Sequence, residues 1–251
     1  MVLKPVVVKS TSTDDLRLKF RQFLIREIKA ASLLKQDKMI IGVSGGSMPK
    51  LVCEVFKTIQ DEDIGYPLSK IYIFAVDERI VPLDDADSNT GAYLRLLPEE
   101  LKHNFASFID HSDAKKCADE YKKVLAAWKP STEGSWPIFD LLLLGMGPDG
   151  HTCSLFPAHP LLKEETLWVA PIEDSPKPPP RRITITLPVI NNAKQVAFIA
   201  TGAGKEVIVK AVVDDKDQQY PASLVQPARN PVTWFVDEQS GSLLSASSTA
   251  S

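Results

Sequence analysis

Short apolar segments alternate with helical patterns along this chain, and this alternation constrains the fold more than any other feature. Residues 141–144 are four consecutive leucines, and such an unbroken apolar run is typical of a strand buried on both faces of a parallel sheet. Comparable runs predict strands at 39–43, 71–76, 183–187, 196–200 and 232–236. Apolar residues at helical spacing predict helices at 14–34, 49–59, 113–128 and 203–213. The sequence therefore predicts an α/β fold with a mostly parallel sheet and helices on both faces.

Composition bounds the domain organisation. The chain has 251 residues, of which 44% are hydrophobic and 24% charged, so it can bury a substantial core. No internal repeat or long linker divides it, and we expect a single domain over residues 1–239. Residues 240–251 are rich in Ser and Ala, and we expect this tail to fray.

Charge and cysteine content indicate the kind of partner. A net charge of −3 without a basic run predicts no nucleic-acid binding. No apolar segment approaches the roughly 20 residues needed to cross a bilayer, and the start lacks a signal-peptide core. Three scattered cysteines do not form a disulfide framework, which favours the reducing cytoplasm. We expect a cytoplasmic monomer that binds a small molecule, with no membrane or nucleic-acid partner.

The loop after residues 141–144 is the first candidate site. Its glycines and Pro148 predict a tight turn that carries Asp149 and His151. Ligands bind at the carboxyl ends of strands in open α/β sheets. A histidine there suits proton transfer because its ordinary pKa lies near working pH. A simple turn with a surface histidine would show the same pattern, so both interpretations remain open at this stage.

A second candidate loop, Ser44-Gly45-Gly46-Ser47, joins the strand at 39–43 to the helix at 49–59. Glycines allow the backbone to approach a ligand, and free amides at a helix start attract an anion. The loop is neither a Walker A motif nor a G-x-G-x-x-G fingerprint, so we do not predict nucleotide binding. An ordinary strand-to-helix turn is the alternative.

Two further loops place charged residues after predicted strands. Asp77 and Arg79 follow the strand at 71–76, and Lys205 follows the strand at 196–200. Arginine suits phosphate because its planar fork makes two charge-assisted bonds. Each loop alone could be a solvated turn, but four of them at one sheet edge predict an anionic, phosphorylated small substrate.

Other reactive side chains give weaker signals. His103, His111 and His159 lack zinc-ligand spacing with acids or cysteines, so we predict no metal and no cofactor. Cys153 has no charge pattern of a nucleophile and is interpreted as a buried thiol. Ser154 lacks the G-x-S-x-G elbow of serine hydrolases.

Six segments together resemble the 6-phosphogluconolactonase family. They are residues 42–47, 76–79, 147–157, 175–180, 201–205 and 221–227. The resemblance extends from about residue 5 to residue 237. The Gly-x-Asp-Gly-His part is shared with the wider family that includes glucosamine-6-phosphate deaminase, whereas the Ser-Leu-Phe-Pro continuation at 154–157 is specific to the lactonases.

This resemblance implies a Rossmann-like α/β fold and a metal-independent, cytosolic enzyme of the pentose phosphate pathway. The implied reaction is hydrolysis of 6-phospho-D-glucono-1,5-lactone, with His151 as the general base for water. Asp149 or Asp77 would orient the imidazole, and the residues alone do not choose between them. The phosphate and sugar would be held by Ser44, Gly45, Gly46, Ser47, Arg79, Arg182 and Lys205. Arg182 matches the family arginine better than Arg181.

Two other classes of function share parts of this pattern. A deaminase would need an additional acid, which that family places in an Ala-Phe-Asn-Glu-Pro context, but Leu155-Phe156-Pro157 stands there in this chain. A non-catalytic sugar-phosphate sensor would keep the phosphate loops and lose the base. It would usually carry a DNA-binding segment, which the sequence does not show.

Overall fold

The computed structural model describes residues 3–60, 62, 64–108 and 113–246. In chain order its elements are β1 (Val6–Ser10), α1 (Thr13–Leu33), β2 (Met39–Val43), α2 (Met48–Ile59), β3 (Ile71–Ala75), β4 (Asp77–Arg79), α3 (Asn89–Leu96), α4 (Glu99–Lys102), α5 (Ala114–Ala127), β5 (Thr132–Glu133), β6 (Trp136–Pro137), β7 (Leu141–Gly145), β8 (Val169–Ile172), β9 (Arg182–Ile185), α6 (Leu187–Asn191), β10 (Gln195–Ala200), α7 (Glu206–Val213) and β11 (Thr233–Asp237). Short 3₁₀ helices lie at Leu68–Lys70, Pro160–Lys163 and Pro221–Leu224.

Six strands form the central sheet in the order β1-β11-β10-β7-β2-β3. Every neighbouring pair in this sheet is parallel. The predicted α/β fold with a mostly parallel sheet is therefore confirmed. Parallel pairing also brings the carboxyl ends of all six strands to one edge, where the four candidate loops begin.

Helices cover both faces of the central sheet. Phe20 and Phe23 of α1 contact the ring of Phe235 in β11. Tyr121 of α5 packs on Phe74 in β3, with ring centroids 4.1 Å apart. Following the strand register across the sheet places Phe235 and Phe74 on opposite faces, because side chains alternate along each strand. The apolar strands are buried between these two helical layers.

A smaller antiparallel sheet, β4-β9-β8, lies beside the carboxyl edge. The segment 183–187, expected as a further strand of the mostly parallel sheet, contributes β9 to this second sheet instead. The amide of Ile185 donates to the carbonyl of Val76 at 2.8 Å, which ties the small sheet to the end of β3. The small sheet thus fixes the position of Asp77 and Arg79 in β4.

The first amides of helix α3 are bound by the carboxylate of Glu78, a residue of β4. The carboxylate of Glu78 accepts hydrogen bonds from the amides of Asn89 (2.8 Å) and Thr90 (2.6 Å). Ser88, the N-cap residue, accepts from the amide of Gly91 at 2.9 Å. Burial raises the pKa of Glu78, while the hydrogen bonds from these amides oppose that rise. This arrangement ties α3 to β4.

The start of the expected frayed tail is packed. Ser240 is fully buried and donates to the carbonyl of Ala200 at 2.6 Å, and Leu244 is also buried. Residues 247–251 lie outside the described residues. Within the described ranges, no helix combines the length and apolar character that crossing a membrane requires.

Candidate functional site

A cavity of about 360 Å³ lies at the carboxyl edge of the central sheet. Eight of the residues predicted for the site line it: Ser44, Gly45, Gly46, Ser47, Asp77, Arg79, His151 and Lys205. Asp149 and Arg182 are not among the lining residues. Helices α1 and α2 supply a further wall through Thr13, Arg17, Lys50 and Glu54. The loops after β2, β3, β7 and β10 are therefore brought together at one cavity.

The loop after β7 is closed on itself by hydrogen bonds. The amide of Gly147 donates to the carbonyl of His151, and the amide of Gly150 donates to the carbonyl of Gly147, each at 3.0 Å. The hydroxyl of Thr152 donates to the carbonyl of Gly145 at 3.0 Å. Gly150 has φ +74°, a conformation that glycine adopts without steric cost. The loop thus holds His151 in one place relative to the end of β7.

His151 is paired with Asp149 through one ring nitrogen. Nδ1 lies 2.5 Å from Oδ1 of Asp149, and the imidazole packs on Phe156 with ring centroids 4.8 Å apart. The side chain of His151 is 18% exposed. Nε2 makes no hydrogen bond to any residue that the structure describes. Nε2 is therefore the nitrogen left for a ligand in the cavity.

The electrostatic surroundings of this pair favour a neutral imidazole beside an ionised carboxylate. Burial lowers the pKa of His151, and the charge of Lys177 lowers it further, against the opposing effects of Asp149 and Asp77. Burial alone would raise the pKa of Asp149, but hydrogen bonds from His151 and Lys177 outweigh it and lower that pKa.

Lys177 is a site neighbour that the sequence interpretation missed. Its Nζ lies 3.0 Å from Oδ1 of Asp149 and 3.2 Å from Nδ1 of His151. The proline-rich segment 175–180 was named above only as part of the family resemblance, with no role for Lys177. The only signal for Lys177 in the sequence is that it is the one lysine of this proline-rich segment. Its partners, Asp149 and His151, lie more than 25 residues away in the sequence.

Asp77 is occupied by other neighbours. Its Oδ2 accepts a hydrogen bond from the hydroxyl of Ser154 at 2.8 Å and lies 3.8 Å from Nε of Arg79. Asn89 donates to the backbone carbonyl of Asp77 at 2.9 Å. Of the two aspartates considered for orienting His151, Asp149 makes the direct contact, whereas Asp77 acts on the imidazole only through its charge.

Two cations line the cavity, and among the described residues the one ion pair that either makes is the 3.8 Å contact of Arg79 with Asp77. Nε of Arg79 is buried and has no hydrogen-bond partner among the described residues, and Nη1 donates to the carbonyl of Asp87 at 3.2 Å. Lys205 is half-buried and makes no ion pair with the described part of the chain. Burial lowers its pKa, and Asp237 opposes this effect. Both cations are available to an anionic ligand.

The N-terminus of α2 completes this side of the cavity. Ser47 is the N-cap residue, but its side chain makes no capping hydrogen bond, and Gly46 has φ +69°. The Ser47 hydroxyl therefore does not cap this helix. A helix start without a side-chain cap has amides that can bind an anion.

Arg182 does not reach the cavity. Its side chain is 2% exposed, and its guanidinium donates to three carbonyls of the proline-rich segment: Pro179 (2.9 Å), Lys177 (3.0 Å) and Pro178 (3.0 Å). A further bond of 3.3 Å joins Nη1 to the hydroxyl of Ser154. These contacts use four of the five N–H donors of the guanidinium, and Arg182 is not among the residues that line the cavity, so its contact with substrate stays a prediction.

The described residues form neither a metal site nor a disulfide bond. Across residues 3–60, 62, 64–108 and 113–246, no three His, Cys, Asp or Glu side chains are grouped to hold a metal ion. His111 lies outside these ranges. The three cysteines are buried, and none of them forms a disulfide bond within these ranges. Cys153 has φ +52° at the cavity wall, and burial raises the pKa of its thiol.

Comparison with known proteins agrees with this geometry. Residues 11–234 match the family of glucosamine-6-phosphate isomerases and 6-phosphogluconolactonases. The chain is 41% identical to the probable 6-phosphogluconolactonase of Schizosaccharomyces pombe, over 96% of this chain and 97% of that protein. It is 38% identical to the 6-phosphogluconolactonase of Homo sapiens, over 93% and 92% of the two chains.

The fold is also similar to solved structures. The 6-phosphogluconolactonase of Trypanosoma brucei superposes with a TM-score of 0.81 at 26% identity, covering 96% of this chain and 99% of the other. The family match over residues 11–234 includes every loop that lines the cavity. The chain belongs to the glucosamine-6-phosphate isomerase/6-phosphogluconolactonase family.

Proposed function

We propose that this protein hydrolyses 6-phospho-D-glucono-1,5-lactone to 6-phosphogluconate, a reaction of the pentose phosphate pathway. The observation that carries the proposal is a histidine paired with Asp149 through Nδ1, in a cavity that also holds Arg79 and Lys205. The named lactonases of similar sequence support the same substrate. We place the reaction in the cytoplasm and expect a monomer.

The chemistry requires one positioned base. A δ-lactone is an activated ester, so water can attack it without a covalent enzyme intermediate. Nε2 of His151 takes a proton from water as the oxygen bonds to the lactone carbonyl carbon. The bond from that carbon to the ring oxygen then breaks, and His151 returns the proton to the departing oxygen. Such proton transfer contributes about 10²–10⁴-fold to a rate.

The charge of the substrate is held by groups that line the same cavity as the base. Arg79, Lys205 and the start of α2, with Gly45, Gly46 and Ser47, are suited to the phosphate, since they offer cations and free amides. Holding the phosphate fixes the lactone within reach of Nε2. Loop amides, with the hydroxyl of Ser44 nearby, are suited to the carbonyl oxygen as it becomes negative.

The decisive experiment compares two lactones. Proton release is followed in weakly buffered solution after adding freshly made 6-phosphogluconolactone or unphosphorylated gluconolactone, and spontaneous hydrolysis is subtracted. We expect kcat/KM for the phosphorylated lactone to be at least about 100-fold higher, since charge-assisted bonds contribute about 1.5–3 kcal/mol each. Equal values for both lactones would refute the phosphate site.

A second assay separates the two activities known within the family. We expect no ammonia and no ketose from glucosamine 6-phosphate, because Leu155 and Phe156 stand where the deaminases carry their acid and Phe156 packs against His151. Turnover above background by the purified protein would overturn the lactonase assignment. Treatment with EDTA should leave lactone hydrolysis unchanged.

A further inference from the structure

Lys177 is the cation nearest to the His151 imidazole, and the mechanism above does not use it. Its ammonium group contacts both members of the Asp149–His151 pair, at 3.0 Å and 3.2 Å. We propose that Lys177 is a positioning residue that keeps this pair in the state in which Nε2 is an unprotonated base. This inference rests on the proposed function, because it concerns the base of that reaction.

The tautomer follows from the hydrogen bonds around Nδ1. The 2.5 Å separation between Nδ1 and Oδ1 of Asp149 requires a proton between the two atoms, since an unprotonated nitrogen and a carboxylate would repel each other. Nδ1 is therefore the donor, and in neutral imidazole Nε2 then has the free electron pair. Lys177 donates to the same carboxylate oxygen and so stabilises the charge that holds this tautomer.

Charge decides whether the imidazole stays neutral. With Asp149 alone, protonation of His151 would create an ion pair and would be favoured. Lys177 already neutralises Asp149, so a second positive charge on the imidazole would lie beside the ammonium and would be disfavoured. Asp77 acts in the opposite direction, because its negative charge favours the protonated imidazole. Arg79 and Lys205 add positive charge to the lining of the same cavity.

The proline-rich segment keeps Lys177 at this position. Arg182 donates to the carbonyls of Lys177, Pro178 and Pro179, and the hydroxyl of Ser175 donates to the carbonyl of Lys177 at 2.9 Å. These contacts fix the backbone from which the ammonium reaches Asp149. Arg182 therefore affects the site indirectly, by holding the backbone of Lys177.

The test is a titration of the histidine rings, which does not depend on catalysis. The four histidines are followed by proton–nitrogen NMR of the imidazoles, and the signal of His151 is assigned by its loss in His151→Ala. In Lys177→Met we expect the titration midpoint of His151 to move to higher pH. Lys177→Arg retains the charge and should stay close to wild type. Lys29→Met, an exposed change on α1, should change nothing.

Activity gives a second readout of the same effect. For Lys177→Met, the loss of kcat/KM at pH 6 should exceed the loss at pH 8 by about tenfold, which corresponds to a tenfold change in the protonation equilibrium. A residue with a purely structural role would reduce activity equally at both pH values.

Three results would overturn the proposal. The first is an unmoved midpoint in folded Lys177→Met. The second is a midpoint that Lys177→Arg shifts as far as Lys177→Met does. Unfolding of both Lys177→Met and Lys177→Gln, measured by circular dichroism, would be the third, since it would make Lys177 a structural residue. A wild-type chain that does not hydrolyse the lactone would refute the proposed function and leave the NMR comparison intact.

Discussion

Gly147 and His151 are packed so closely that a Cβ atom on Gly147 would overlap Cε1 and Nδ1 of the imidazole. The same atom would lie 2.7 Å from Oδ1 of Asp149. Glycine is therefore required here by the presence of the pair. It could not be distinguished by sequence alone from the other glycines of its turn.

This contact predicts the effect of Gly147→Ala. The added methyl group should push the imidazole out of line with Asp149 and lower kcat by about 100-fold, the typical cost of misplacing a catalytic group by about 1 Å. The affinity for inorganic phosphate, measured as competitive inhibition, should stay near wild type. A variant with wild-type kcat would show that the described position of His151 is not the catalytic one.

The pH dependence should follow His151. Burial and Lys177 lower its pKa, so the imidazole stays neutral to lower pH than an ordinary histidine, whose pKa is about 6.5. Activity is lost as pH falls through the pKa, because protonated imidazole cannot accept a proton from water. We expect the acidic limb of kcat/KM to have its midpoint below 6.5. His151→Ala should lose this limb and about 10²–10⁴-fold in kcat. A limb centred above 6.5 would contradict this electrostatic description.

Substitution of Lys205 should act mainly on substrate binding. Lys205→Met removes a cation remote from the reacting carbonyl, so we expect KM to rise about 10- to 100-fold with little change in kcat. The matched control is Lys210→Met in the next turn of α7, whose ammonium contacts Asp215 at 2.7 Å and does not line the cavity. A fall in kcat alone for Lys205→Met would assign it to the chemical step instead.

Substitution of Arg182 should lower the stability of the folded protein. Arg182→Lys cannot replace the three carbonyl contacts of the guanidinium, so we expect the free energy of unfolding to fall by about 2–4 kcal/mol, seen as a lower Tm. Arg181→Lys, in which the original Nε lies 3.3 Å from Glu173 near the surface, should change it by less than about 0.5 kcal/mol. An unchanged Tm together with a loss of phosphate affinity would show that Arg182 binds the substrate.

The parts of the fold that the sequence predicted are those with local causes. β2 and β7 are apolar on both faces and lie in the middle of the sheet, so their burial is visible in a few residues. β1, which carries three consecutive valines, was missed at the edge of the sheet, and β8 was missed because Pro171 interrupts its pattern. α3 was missed since its first amides bind Glu78, a residue from another element.

The candidate site divides in the same way. Loops at strand ends predicted the residues around the cavity, because parallel strands bring their carboxyl ends together. The family resemblance placed Arg182 with the substrate, but a sequence does not show which donors are already used by carbonyls. Lys177 required a contact between two loops that no local pattern connects. The single-domain and monomer expectations stay predictions.

The strand order of the central sheet has a consequence for how activity arises during folding. β10 is paired with β7 on one side and with β11 on the other, and it leads to Lys205, whereas the cavity loops after β2, β3 and β7 all precede it in the chain. A chain truncated before β10 can therefore hold only part of the site, and it loses the bridge between the two halves of the sheet. Such non-local pairing forms slowly, so lactone turnover should report the last cooperative step of assembly during synthesis or refolding.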